Sequence, residues 1–462
     1  MDRRDVLSAS GALLVAALAG CVERDDPSDG TPAGETPTDT PEPTPTETPT
    51  DESAGKSDED DEQDDEQDDE QDDEERLAEL AAGNAAFALD LHGHLADEEG
   101  GNLFVSPYSI SAALAMTYAG ARGETREQMA ETLRYTLGEE VHPAFGDLQS
   151  ELDSREEAEQ DGEELDAFRL RAVNTLWGQE EYPFAEEYLD LLDSHYGAGV
   201  READFASNPN AERERINDWV ADATEDRIED LFPAGSINNL TRLVLVNAIY
   251  FLAEWAHEFD PEDTADATFT ALDGSESIVP MMYQDIDTGY AEIDGAEAVE
   301  LPYAGEEVSM VLILPEEGTF EAFERNLDAD DLFEIFGALR DGTGELSVPR
   351  FEFETSINLN EPLSELGMPL AFEPGGADLT GMVEDDGSDI YVHGAYHEAF
   401  VSVDEESTEA AAATGVAPGP TSGPTNWGTL RFDRPFLFCI RDRPTDAVLF
   451  LGRMVDAGQA QA

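Results

Sequence analysis

The sequence is almost without lysine. Lys56 is the only one, the remaining basic residues are arginines, and 24 basic residues face 108 aspartates and glutamates for a formal net charge of −84. A surface so acidic repels polyanions, which excludes nucleic acid as a partner. At ordinary ionic strength such crowding of like charge destabilises a compact state. Molar salt cuts the screening length to about 3 Å and removes most of that cost, so the composition points to a protein that works in a very salty medium. Cysteine is scarce: of the two, Cys21 lies in the N-terminal segment and Cys439 lies among Phe436, Leu437, Phe438 and Ile440, where a small buried apolar side chain is expected. No intramolecular disulfide is expected. Long apolar runs are missing too, since residues 8–20 are too short to span a bilayer. Nucleophile-elbow, zincin and phosphate-loop motifs are all absent. His393 and His397 share a strand face but stand about 13 Å apart, and His92 and His94 lie on a segment that reads as helix. No enzyme activity, cofactor or metal site is therefore expected.

What is present begins at the N-terminus. Arg3-Arg4, the apolar run and Leu18-Ala19-Gly20-Cys21 together resemble a twin-arginine lipoprotein signal, with residues 1–20 removed and a lipid placed on Cys21. Residues 21–76 then read as a spacer. A Thr/Pro-rich stretch is followed by a repeated Asp-Asp-Glu-Gln tract, expected to stay solvated and extended. The folded domain is placed at residues 77–457. This arrangement would hold the domain at the extracellular face of the cell membrane, or release it as a secreted form.

Within the domain, Leu80, Phe87, Leu91 and Leu95 keep helical spacing. Ser106-Pro107 is a helix start, with serine as N-cap and proline at the first position, and Thr125 with Gln128 reads as a capping box. Residues 243–251 are almost wholly apolar, as a strand covered on both faces would be. Residues 309–314, 390–403, 435–440 and 448–454 read as further strands. Helices crowd the first half and strands the second, which is an α+β pattern.

The motifs go further than the pattern. Asn102, Ser106-Pro107, Ser109-Ile110 and Gly120-Ala121-Arg122-Gly123; Ile216-Asn217 with Trp219; Leu240-Thr241 through Asn247 to Phe251, with Trp255; Glu300-Leu301-Pro302-Tyr303; His397-Glu398-Ala399; and Arg434-Pro435-Phe436 follow one another in an order that resembles the serpin family. The resemblance implies an α+β serpin fold of about nine helices on three β-sheets with an exposed reactive centre loop. It implies a monomeric inhibitor that forms a covalent acyl complex with a target serine protease. The loop is cut and inserts into the main sheet as a new strand.

On that reading the hinge is Glu405, Ser407, Thr408, Glu409, Ala410, Ala411, Ala412, Ala413 and Thr414. Strand alternation puts Thr408, Ala410, Ala412 and Thr414 on the face that enters the core, and leaves Glu409 on the wet face. Ser407 replaces the family's usual glycine. Counting sixteen residues from Glu405 sets the reactive bond at Thr421-Ser422, whereas counting back from Pro435 sets it near Pro424. No arginine or lysine lies between Thr408 and Asn426, so a subtilisin-like or elastase-like target fits better than a trypsin-like one. Ser106, Ser109, Asn247 and His397 match the polar shutter where the main sheet opens, and Trp255 matches the tryptophan where the loop enters. Ser407 and the loop prolines 418, 420 and 424 keep a second reading open, a non-inhibitory surface-binding or chaperone-like protein on the same fold.

Overall fold

The computed structural model describes residues 58–155, 157–160, 163–166, 168–224, 226–384, 390–405 and 425–461. Among the described residues the nine α-helices are α1 (Asp58–Glu99), α2 (Pro107–Gly120), α3 (Gly123–Thr132), α4 (Val141–Ser154), α5 (Glu186–Tyr196), α6 (Pro209–Ala223), α7 (Phe320–Asn326), α8 (Ala329–Ala338) and α9 (Asn360–Leu366). The first eight strands are β1 (Leu103–Val105), β2 (Glu157–Gln160), β3 (Glu163–Asp166), β4 (Phe168–Gln179), β5 (Val200–Ala203), β6 (Leu243–Ala253), β7 (Ala265–Thr270) and β8 (Glu276–Ile293). The remainder are β9 (Ala296–Pro302), β10 (Val308–Pro315), β11 (Arg340–Pro349), β12 (Phe351–Asn358), β13 (Gly394–Val403), β14 (Thr425–Arg431), β15 (Phe436–Asp442) and β16 (Val448–Met454).

Hydrogen bonds group the strands into sheets of nine, five and two. The nine-stranded sheet turns through β8, whose 18 residues pair with β7, β11 and β9 in succession. The five-stranded sheet has the order β12-β13-β6-β4-β5. Here the apolar run at residues 243–251 is the central strand β6, covered on both faces as its composition requires. Leu243, Leu245 and Ile249 enter the main core, while Val244, Val246 and Ala248 pack with Ile216 and Val220 of α6. Asn247 interrupts the first set.

Leu80, Phe87, Leu91 and Leu95 are all buried on α1, as their spacing requires. That helix also corrects the extended reading of the acidic tract, because it is continuous from Asp58. Nucleation is the costly step of helix formation, and the buried segment supplies the nucleus. The glutamates and glutamines of the tract then propagate well, while its aspartates are weak helix formers that the propagation carries. Arg76 fixes the junction by ion pairs to Asp73 at 2.7 Å and to Asp147 of α4 at 2.6 Å.

Two local expectations fail. The helix with Thr125 and Gln128 starts earlier, after Arg122, without a side-chain cap. Those two side chains instead accept the backbone N–H groups of Asp378 and Leu370. Residues 390–393 bury Ile390 and Val392 but join no ladder, so the strand starts at Gly394. Among the described residues no helix is long and apolar enough to cross a membrane.

Candidate functional site: a closed sheet with a polar latch

All neighbouring strands of the five-stranded sheet run antiparallel except at two places. One is the short edge pair β4 and β5. The other lies near the middle, where β13 runs parallel to β6 from Gly394↔Val244 to Phe400↔Tyr250. Parallel neighbours cannot come from a hairpin. They leave a seam into which one strand of opposite direction fits, making two antiparallel ladders of one parallel ladder.

A row of polar groups crosses this seam. Asn174 of β4 stands opposite Asn247 of β6, and Asn247 stands opposite His397 of β13. Behind them α2 begins at Ser106, whose hydroxyl caps the helix by accepting from the Ser109 N–H at 3.2 Å and donates to the Leu449 carbonyl at 2.7 Å. Asn247 Nδ2 donates to Ser109 Oγ at 2.7 Å and to Asn174 Oδ1 at 2.5 Å. Ser109 Oγ donates to Asn174 Oδ1 at 3.0 Å. His397 Nδ1 bonds Asn247 Oδ1, and its Nε2 accepts from the Ser106 N–H at 3.2 Å.

These partners fix one neutral tautomer, with the proton on Nδ1. A second proton would point at the Ser106 N–H. Complete burial accordingly lowers the His397 pKa to about 3. The next residue, Glu398, pairs with Ser356 and has its pKa raised to about 6, first by burial and then by repulsion from Glu354 and Asp230.

Trp255 lies elsewhere, at the end where β6 and β13 both finish. It is 5% exposed and stacks on Tyr303 with centroids 4.6 Å apart. Its indole Nε1 donates to the Asp404 carbonyl at 3.0 Å, and the Phe259 N–H donates to the Glu405 carbonyl at 3.1 Å. The Glu405 carboxylate lies 3.7 Å from the Arg350 guanidinium. The chain is thus held at Asp404 and Glu405, the first residues beyond β13.

Of the residues expected from the sequence, Ser106, Ser109, Asn247 and His397 come together, and Trp255 holds Asp404, the residue before Glu405. Ser407 to Thr414, Thr421-Ser422 and Cys21 lie outside the described residues. Sequence reasoning missed Asn174 and Arg350. A lone asparagine in β4, like the one in β6, was the available signal for the first. Nothing local marks Arg350.

The family model for Serpin (serine protease inhibitor) matches residues 82–457. Antithrombin-III of Mus musculus is 37% identical over 390 residues, covering 82% of each chain. Leukocyte elastase inhibitor of Homo sapiens is 37% identical over 388 residues, covering 82% of this chain and 99% of its own. An uncharacterized serpin-like protein of Thermococcus kodakarensis is 39% identical over 377 residues, covering 80% of this chain and 84% of its own. Among solved structures, uncleaved ovalbumin superposes with a TM-score of 0.71 at 28% identity, covering 82% of this chain and 99% of its own. The thermophilic serpin tengpin in its native state gives 0.70 at 28% identity, covering 81% and 94%. The chain belongs to the serpin family.

Proposed function

We propose that this serpin inhibits a serine protease as a suicide substrate. The observation that carries the proposal is the parallel seam between β6 and β13, with the chain leaving β13 at the seam's end. Cleavage in the loop, at Thr421-Ser422 or as far as Pro424, frees the hinge to fold back from Glu405. It then enters antiparallel to both neighbours, placing Thr408, Ala410, Ala412 and Thr414 in the core. Serpin loop insertion is itself a standard illustration of strand addition and of the release of stored strain. The acylated protease is dragged with the loop, and its ester outlives the distortion. The closed form persists by a rate barrier. Part of that barrier is the Asn247–His397 bond, which must break as the seam opens. The absence of basic residues in the loop favours a subtilisin-like or elastase-like target.

The same proposal puts a lipid on Cys21 and the inhibitor at the extracellular face of the membrane. The acidic segment between the lipid and residue 77 then acts as a spacer, in a salty medium that screens the charge. Incubation with a subtilisin-like protease in molar salt tests the inhibitory part. A denaturant-resistant covalent complex is expected, and Thr408→Arg should abolish it while leaving the loop cleavable. Clean cleavage without a complex favours the non-inhibitory reading.

A further inference from the structure

His94 and Glu98 are four residues apart on α1 and so share one face. Glu365, at the end of α9, meets the same face, and one ligand atom from each of the three residues lies within 4.8 Å of the others. His94 Nε2 is 3.5 Å from Glu365 Oε2 and 3.8 Å from Glu98 Oε2. That nitrogen is shielded from solvent and has no hydrogen-bond partner.

The spacing is the informative feature. Direct N–H···O bonds close to 2.7–3.2 Å, and the imidazole makes neither. Metal–ligand bonds of 2.0–2.2 Å arranged tetrahedrally put ligand atoms about 3.4 Å apart. The two distances from the imidazole nitrogen, 3.5 and 3.8 Å, lie close to that edge length, all three ligand atoms fall within 4.8 Å of one another, and the nitrogen is already desolvated. We propose that His94, Glu98 and Glu365 form a binding site for a zinc-like divalent cation, with the fourth position left to water.

The donor set gives the site selectivity where selectivity is hard. A chain of net charge −84 gathers hard cations over its whole surface. An imidazole prefers borderline transition metals to magnesium or calcium. Glu98 and Glu365 are about half exposed, so an ion enters without disturbing the core. Bound there, it joins α1 to α9. The start of α9 is already tied to β13: Asn360 Nδ2 donates to the His393 carbonyl at 3.1 Å, and Asn360 Oδ1 accepts from the Ala395 N–H at 2.9 Å. The cation would thus link the acidic N-terminal helix to a strand that borders the seam. The pairing escapes sequence inspection because Glu365 comes from a distant segment.

Cobalt(II) is the probe, titrated into the full chain in molar KCl. One equivalent is expected to give the intense visible absorption of a tetrahedral site. His94→Gln and Glu365→Gln should each weaken that binding by more than about 100-fold, beyond the range typical of outer-shell changes. Zinc should raise the melting temperature of the wild type alone. Glu365 is exposed, so its variant keeps the test valid should His94→Gln fail to fold. Binding that is multi-site and octahedral, or that survives both substitutions, overturns the site.

Discussion

Replacing His397 with glutamine isolates the protonation chemistry of the latch. The imidazole titrates from an ordinary 6.5 in the unfolded chain and from about 3 when folded. Between those values the unfolded chain binds the extra proton, so stability is fully present above 6.5 and falls as pH drops toward 3. At pH 5 the folded imidazole is still neutral, and the loss amounts to ~1.5 pH units at about 1.36 kcal/mol each, or about 2 kcal/mol. Glutamine does not titrate. At pH 8 the variant should be less stable by about 1–3 kcal/mol, because the partners Asn247 and Ser106 lose their bonds. That deficit should shrink by about 2 kcal/mol on moving to pH 5. Urea unfolding of both proteins at pH 8 and pH 5 in molar KCl gives the double difference, in which contributions common to both chains cancel. An equal pH response in the two proteins would refute the argument that His397 is neutral and locked by its partners.

Glu398 titrates with the opposite sign. Its carboxyl is raised from 4.5 to about 6, so stability falls as pH rises through that window, and Glu398→Gln should gain up to about 2 kcal/mol at pH 8 in the same urea assay. Ser106→Ala removes a helix cap and the bond to Leu449, and should cost about 1–2 kcal/mol; a melting temperature within error of the wild type would count against the cap. Burial pushes the Cys439 thiol up to about 12. A chain carrying Cys21→Ala should therefore ignore a thiol reagent when folded and release one equivalent in denaturant. Trp255→Phe keeps the aromatic stack but loses the bond to Asp404, and should speed hydrogen exchange at the ends of β6 and β13 without altering exchange at Asn247.

How much the sequence disclosed depended on whether the cause was local. The apolar run of β6 and the Ser106-Pro107 cap are written in adjacent residues, and both were legible. Motif order then carried the fold and four of the latch residues. What stayed hidden depends on distant partners. Thr125 and Gln128 have the chemistry of a capping box, but Asp378 and Leu370 claim their side chains. Ile390 and Val392 are buried, and their alternation signals burial rather than a ladder. Glu365 beside His94, and the buried Arg155–Asp442 pair at 2.6 Å, join segments that no spacing rule relates. The helix through the acidic tract stays hidden because the tract's composition favours solvation, while its neighbour in sequence supplies a helix nucleus.

Whether the seam between β6 and β13 accepts the loop is read from the melting temperature before and after a single cut in the loop. Cutting with a subtilisin-like protease in molar salt should raise the melting temperature by tens of degrees, because the freed hinge becomes a strand with neighbours on both sides. A cut chain that melts where the intact one does would mean that the seam does not accept the loop.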